Sequence, residues 1–323
     1  MISKLYVIET VSTDPYHNLG LEKYLFDWVP DEACILYIWQ NDRTVVIGRN
    51  QLAENECNIT RIEKDGGHIA RRLSGGGAVY HDMGNLNFTF IMKSVDYDEE
   101  RQTNIILNAL RACGAQCEKN GRNDITLNGR KLSGHAYYHH NGHSYHHGTI
   151  MIDVDIERLT SYLNVSDLKL NDHHVKSVRS RVINLKEAVN GVEIDAVRAS
   201  LISCFDAEYG IKHTRLHENE LNMDDLKSDM AFFSDRSWIF KDQRYFEITK
   251  QRRFKWGTLK IDYNLVGNII SDCQVSSDGM NGDYLAEMAM RLKGRNITDL
   301  NFLLKDSQNS DIAADVMKLL QEE

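Results

Sequence analysis

The stretch RRLSGGGAVYHDMGNLNF, residues 71–88, gathers residue types that handle anions. Gly75, Gly76 and Gly77 let a backbone turn sharply and approach a ligand with no Cβ in the way. Successive amides in such a turn form a donor nest for an anion. Arg71 and Arg72 precede them and offer planar donor forks for a carboxylate or a phosphate. No Gly-Lys-Ser/Thr follows the glycines and no Gly-x-Gly-x-x-Gly opens a helix, so neither the P-loop nor the dinucleotide fingerprint applies. For His81, Asp82 and Asn85, just beyond, turn capping and local backbone hydrogen bonds are the plain expectation.

A second cluster lies in GRNDITLNGRKLSG, residues 121–134, where Asn128-Gly129 separates two strand-like runs. Asn-Gly is a strong hairpin signal. Pairing across it sets Leu127 opposite Arg130, Thr126 opposite Lys131 and Asp124 opposite Ser133, so that Asp124, Thr126, Lys131 and Ser133 share one face. A carboxylate, an ammonium and two hydroxyls there suit a nucleotide with magnesium, which favours one or two carboxylates plus phosphate oxygens. The same residues also read as a solvated cross-strand ion pair. The next segment, GHAYYHHNGHSYHHG (134–148), holds six of the thirteen histidines. Its Asn-Gly places Ala136, Tyr138, His140, His143, Tyr145 and His147 on one face, with His140 opposite His143. Two facing imidazoles bind a transition metal only if further ligands join them; otherwise they are polar strand residues. In SVRSRV (177–182), Arg179 and Arg181 read as solvated arginines on a strand edge.

Several elements must position these groups. Residues 16–28 carry a helical stripe of Leu19, Leu21, Tyr24, Leu25 and Trp28. CILYIWQ (34–40) and RTVVIGR (43–49) read as strands joined in a hairpin at Asn41-Asp42, and 98–113 as an amphipathic helix. The charged segment 212–245 places a domain connection toward its end. RRFKWGTLKIDY and VGNIISDCQVS then read as paired strands, followed by helices at 282–293 and 309–321. The expected division is a domain of residues 1–245 and a small α+β domain of residues 246–323.

Composition bounds the function classes. The chain has 323 residues, 42% hydrophobic and 26% charged, a globular mix that excludes disorder, collagen and coiled coil. With 38 Lys+Arg against 47 Asp+Glu the net charge is −9, which disfavours nucleic acid and anionic lipid as partners. No apolar run is long enough for a membrane helix, and the start lacks a signal peptide, so a cytoplasmic setting is expected. Six scattered cysteines without Cys-x-x-Cys pairs read as free, inert thiols.

Taken in order, RRLSGGGAVYHDMGNLNF, GRNDIT (121–126), GRKLSG (129–134), HHGTI (146–150) and SVRSRVINL (177–185) resemble the signature of the lipoate-protein ligases. The resemblance is co-linear over most of 1–210, and the C-terminal domain fits the two-domain, ATP-dependent members. It implies an α+β fold of the biotin/lipoate ligase kind, a mixed sheet flanked by helices, with a small α+β accessory domain. It further implies a two-step ligation: lipoate and Mg·ATP give lipoyl-adenylate, and a lysine of a lipoyl-domain acceptor then displaces AMP. ATP and Mg2+ are the implied cofactors. Lipoate, or octanoate, is the implied acid, and 2-oxoacid dehydrogenase E2 or glycine cleavage H-type proteins are the implied acceptors. Carried over residue by residue, Lys131 is the catalytic cation for the carbonyl and α-phosphate oxygens, and Asp124, with Asn123, holds magnesium. Arg72, Gly77, Ala78, Val79, Tyr80, Asn123, Lys131, Arg179 and Arg181 are expected around the adenylate. Arg72, Ser74, Gly75, Gly76, Val79, His81, Ser133, His147 and Thr149 are expected around lipoate. One departure stands out: His135 follows Lys-x-Ser-Gly where the family usually has a small or polar residue. The rivals are an octanoyl or lipoyl transferase of the same fold, which would need a cysteine that 121–150 lacks, a biotin ligase, and a non-catalytic, metal-responsive protein using the histidine hairpin.

Overall fold

A computed structural model of the chain describes residues 1–121, 123–164, 181–240, 246–279, 282–305 and 310–321. Helix α1 (Pro15–Trp28) starts where its first residues dictate. The Asp14 carboxylate accepts the Tyr16 N–H at 2.8 Å, and Pro15 sits in the first turn, where no amide donor is required. Its inner side buries Leu19, Leu21 and Leu25 and also one carboxylate, Glu22.

The strands are β1 (Lys4–Glu9), β2 (Ala33–Trp39), β3 (Thr44–Ile47), β4 (His68–Arg71), β5 (Val79–His81), β6 (Asn85–Lys93), β7 (Cys117–Asn120), β8 (Asp124–Leu127), β9 (Arg130–His140), β10 (His143–Met151), β11 (Thr214–Arg215), β12 (Ile248–Phe254), β13 (Gly257–Val266) and β14 (Ile269–Ser277). An eight-stranded sheet runs β11-β1-β2-β6-β10-β9-β8-β7. It is mixed: β1 pairs parallel with β11 and β2, and the remaining neighbours pair antiparallel. Every residue of β2 is buried, as expected of a strand covered on both faces. Ile35, Tyr37 and Trp39 pack with α1 and the helix Met223–Ser234. Cys34, Leu36 and Ile38 pack with the helices Glu99–Ala112 and Ile194–Tyr209.

The expected hairpin between residues 34–40 and 43–49 does not form. Both edges of β2 are taken, by β1 and β6, so β3 has no edge to join and enters a separate sheet, β4-β3-β5. Asn41 is not an exposed turn residue. It is fully buried, its Oδ1 accepts Asn18 Nδ2 at 2.9 Å, and Arg43 redirects the chain with φ of 38°.

The turn at Asn128-Gly129 does form, with φ of 53° and 72°, the left-handed pair that a two-residue hairpin requires. The register beyond it departs from expectation. Thr126 faces Lys131, but Ile125 faces Ser133 and Asp124 faces Gly134, so Leu132 is an extra, bulged residue. The cause is tertiary. Where β10 has run out, the chain at 181–183 bridges β9: Lys131 donates to the Arg181 carbonyl at 2.7 Å and accepts from Ile183 at 2.9 Å. Asp124 and Ser133 are therefore not partners.

The C-terminal quarter has its own sheet, β12-β13-β14, and its own core of Leu259, Ile261, Leu285, Met288 and Val316 under the helices Gly282–Leu292 and Ser310–Gln321. The run RRFKWGTLKIDY divides into β12 and β13, which pair with each other. Among the described residues no helix is long and apolar enough to cross a membrane.

Candidate active site

The two arginines before the glycines hold backbone together: Arg71 ties down the neighbouring segments, and Arg72, which also lines the cavity, holds the glycine loop. Arg71 is fully buried and donates to the carbonyls of Gly48, Arg49, Gln51 and Ile239, at 3.1, 3.0, 2.5 and 2.6 Å. Arg72, also buried, donates to the carbonyls of Val46 (3.1 Å), Gly75 (2.6 Å) and Gly77 (2.8 Å) and to Ser74 Oγ (3.0 Å). Gly76 takes φ of 90°, a conformation open to glycine. Its carbonyl lies so close to Gly48 that a Cβ there would collide with it. Burial lowers Arg72 to about 10, so the staple stays charged at neutral pH.

A chain of buried side chains runs beneath this loop. Trp39 Nε1 donates to Thr89 Oγ1 at 3.1 Å, and Thr89 donates to Glu22 Oε1 at 2.7 Å. The same Glu22 oxygen takes His147 Nδ1–H at 2.9 Å, and His147 Nε2 is joined to Ser74 Oγ at 2.8 Å. Nothing in the sequence marked Glu22, which looked like one more polar position on a helix.

The opposite wall is β8–β10. Lys131 Nζ meets Asp124 Oδ1 at 2.8 Å, with the two side chains 41% and 37% exposed. Lys131 lies across Gly134, where a Cβ would approach its Nζ to 2.9 Å. Beside them Asn123 Oδ1 is buried without a partner among the described residues. Ser133 is buried and bonds His135 Nε2 at 2.9 Å. His135 Nδ1 bonds His146 Nε2 at 2.9 Å, and His146 Nδ1 bonds Gln102 Oε1 at 3.0 Å. Gln102 Nε2 donates to Met92 Sδ, which leaves Oε1 as the acceptor and fixes the direction of the whole chain. Burial, with Lys131 adding to it, holds His135 at about 3. The residue that departs from the family pattern is thus a neutral buried link.

Between these walls lies a cavity of about 180 Å³. It is lined by Arg72, Gly76, Gly77, Ala78, Val79, His81, Asn123, Asp124, Lys131, His147 and Thr149 among the expected residues. Leu19, Trp39, Asn87, His135 and, from the C-terminal unit, Asp278 also line it and were not expected. The glycine loop meets the C-terminal unit directly, since Gly76 N–H points at the Gly279 carbonyl at 3.4 Å. Ser74, Gly75 and Ser133 lie behind the lining. Tyr80 alternates away from Val79 and packs edge-on against Tyr162 at 5.5 Å, so it is core. Arg181 adjoins the site through its carbonyl on Lys131, whereas Arg179 falls outside the described residues.

The plainer expectations have plain outcomes. Asp82 accepts the amides of Gly84 (2.8 Å) and Asp155 (2.9 Å), a turn-capping role. His140 faces His143 as paired, yet no group of three or more potential metal ligands occurs among the described residues. All six cysteines are free, and burial raises the thiols of Cys34 and Cys57 to about 12.

Two families match the chain: Lipoyl protein ligase A/B catalytic domain over residues 14–206, and Bacterial lipoate protein ligase C-terminus over residues 243–317. A lipoate-protein ligase A of Blochmanniella pennsylvanica is 39% identical over 294 residues, covering 88% of this chain and 86% of its own. Among solved structures, a P. falciparum protein in complex with lipoate superposes with a TM-score of 0.85 at 26% identity, covering 99% of each chain. A bipartite lipoate protein ligase from Thermoplasma acidophilum, studied with its E2 lipoyl domain, gives 0.65 at 29% identity over 77% of this chain and 100% of that one. A lipoate-protein ligase A bound with ATP gives 0.63 at 28% identity over 75% and 99%.

Proposed function

This chain belongs to the lipoate-protein ligases, and from that premise we propose how its residues divide the work. It is an ATP-dependent ligase that activates lipoate as lipoyl-adenylate and passes the acyl group to a lysine of a lipoyl domain. In the first step a lipoate carboxylate oxygen bonds the α-phosphorus of ATP, and the bond to pyrophosphate breaks. In the second a lysine amine bonds the acyl carbon, the acyl–phosphate bond breaks, AMP leaves, and the amine loses a proton. Both steps bring anions together, so the site must supply positioning and positive charge.

Lys131 supplies that charge at the meeting of carboxylate and α-phosphate. The observation that carries this reading is its placement: a half-exposed ammonium at the mouth of a cavity whose far wall is a pinned glycine loop. Asp124 and the unpartnered Asn123 Oδ1 form an oxygen-only donor set that suits magnesium. When bound there, the ion would neutralise phosphate charge. Gly77, Ala78 and Val79 line the adenylate end, which the Arg181 backbone adjoins through Lys131. Gly76, Val79, His81, His147 and Thr149 enclose the acid, with Ser74, Gly75 and Ser133 as their support. Arg72 acts through the loop it staples. No cysteine lines the cavity, which favours an acyl-adenylate over an acyl-thioester. Acceptors of the 2-oxoacid dehydrogenase E2 and glycine cleavage H types fit this reading. We place the domain division at 245/246, supported by the separate C-terminal core.

The test is lipoate-dependent ATP–pyrophosphate exchange with magnesium and without acceptor. Exchange is expected. Its absence from folded protein would turn the reading toward acyl transfer.

A further inference from the structure

We propose that His81 selects lipoate over octanoate by donating its Nε2–H to a sulfur of the dithiolane ring. This rests on the ligase reading and adds the determinant of its acid. The cavity has a wet end and a dry end. Lys131 and Asp124 are more than a third exposed, whereas Leu19, Trp39, His81 and Asn87 are all buried. The triphosphate and the incoming lysine need the wet end, so the acid lies with its carboxylate there and its tail in the dry end. In lipoate the tail ends in two sulfurs, in octanoate in a methyl.

The protein fixes which His81 nitrogen carries the proton. Asn41 Nδ2 points at His81 Nδ1 at 3.2 Å and Asn87 Nδ2 at 3.5 Å. Asn41 cannot be turned round without loss: its Oδ1 accepts Asn18 Nδ2 at 2.9 Å, and that Nδ2 also donates to the carbonyls of Ser12 and Gln40. With Asn41 donating to Nδ1, that nitrogen is the acceptor and the hydrogen sits on Nε2. His81 is 3% exposed, and its Nε2 has no partner among the described residues. Burial, reinforced by Arg72 and His147, holds the imidazole at about 3, so the donor state persists across the working pH range. A buried donor without an acceptor is costly. A ring sulfur is a weak acceptor that relieves this cost; a methyl leaves the donor unpaired.

The experiment measures kcat/KM for ATP–pyrophosphate exchange with lipoate, octanoate and 5-cyclopentylpentanoate, a carbocyclic shape match without sulfur. Lipoate should exceed both by about tenfold, the size of effect that one buried donor left unpaired produces. Parity between lipoate and the carbocycle would overturn the proposal with no variant needed. In His81→Phe the ratio of kcat/KM for lipoate over octanoate should fall toward unity, while His81→Gln, which keeps an N–H, should restore part of it. Parallel losses with lipoate and octanoate would mean that His81 serves the shared carboxylate or the fold, and would overturn the proposal. A folded wild-type protein inactive with all three acids would refute the ligase reading itself, and this inference with it.

Discussion

The floor and the mouth of the cavity solve the same problem, holding polar groups against a ligand, in opposite ways. On the floor, Glu22, His147, Ser74 and Arg72 are buried and bonded to one another in a fixed sequence. At the mouth, Lys131 and Asp124 stand on a bulged hairpin, more than a third exposed, and engage each other. A buried network is rigid because each unpaired member would be expensive. An exposed ion pair is worth little, so it can be parted at low cost. A ligand carrying phosphate and a divalent ion offers each partner something better: anionic oxygen for the lysine, a cation for the carboxylate. The floor is thus held by its own bonds, and the mouth pair is the part that a phosphate ligand could part at low cost.

The largest expected effect separates the two regions outright. Lys131→Ala should lower adenylation on the order of 10²–10³-fold, the range for removing one stabiliser of developing charge. Its stability should change by less than about 1 kcal/mol, since the pair it breaks is exposed. Pyrophosphate exchange and urea unfolding measure the two halves. An unchanged rate, or a large loss of stability, would erase the distinction.

Arg72→Ala is the converse. Its guanidinium holds the carbonyls of Val46, Gly75 and Gly77, so removing it should cost about 3 kcal/mol of stability. Lipoate affinity should fall with it because the loop loosens. Normal stability with weakened lipoate binding would mean instead that Arg72 meets the ligand's charge directly.

Acid should act on the buried histidines. Burial holds His81 and His135 at about 3, and His146 well below its usual value. An unfolded histidine binds its proton near pH 6.5. Between those values the unfolded chain carries more protons, so folding stability falls as pH drops from about 6.5 toward 3. The slope is about 1.4 kcal/mol per pH unit for each such histidine. Glu56, raised by burial and Asp278 to about 7, works in the other direction: its contribution is complete below about 4.5 and is lost as pH rises through 7. His139 is lowered by burial as well, and His17 is raised by its bond to Glu218, so four groups against two leave a net loss on acidification. Urea midpoints that stay flat from pH 7 to pH 5 would contradict it.

Sequence reading reached the mouth more readily than the floor, for a physical reason. Asn128-Gly129 is a local signal, and it brings Asp124 and Lys131 near each other whatever the rest of the chain does. The bulge at Leu132 was hidden because it depends on the 181–183 segment bridging β9 from fifty residues away. Glu22 was hidden because its partners, Thr89 and His147, lie on strands that only the folded sheet brings over α1. The arginines were read as donors for a ligand's carboxylate or phosphate; their hydrogen bonds here go to backbone carbonyls, for Arg71 those of Gly48, Arg49, Gln51 and Ile239, for Arg72 those of Val46, Gly75 and Gly77. The misplaced hairpin at Asn41-Asp42 has the same origin: turn chemistry was legible, the occupied edges of β2 were not.

The smallest expected effect concerns Asp278, a lining residue supplied by the C-terminal unit. Asp278 is partly exposed, is paired with Arg253 at 2.6 Å, and lines the same cavity as Lys131 and Asp124. A carboxylate there repels a triphosphate, but solvent and the Arg253 partner weaken the repulsion to about 1 kcal/mol or less. Asp278→Asn keeps an oxygen acceptor for Thr258, which the native carboxylate also serves, so the turn should survive. The KM for ATP should fall a few-fold at low salt, and the difference should shrink at high salt, where exposed charges are screened. If KM is the same at both salt concentrations, Asp278 does not sense the nucleotide, and the mouth is the work of the hairpin and the glycine loop alone. If the difference persists at high salt, Asp278 acts from a site closed to solvent when ATP is bound, and the mouth then becomes as dry as the floor during the first step.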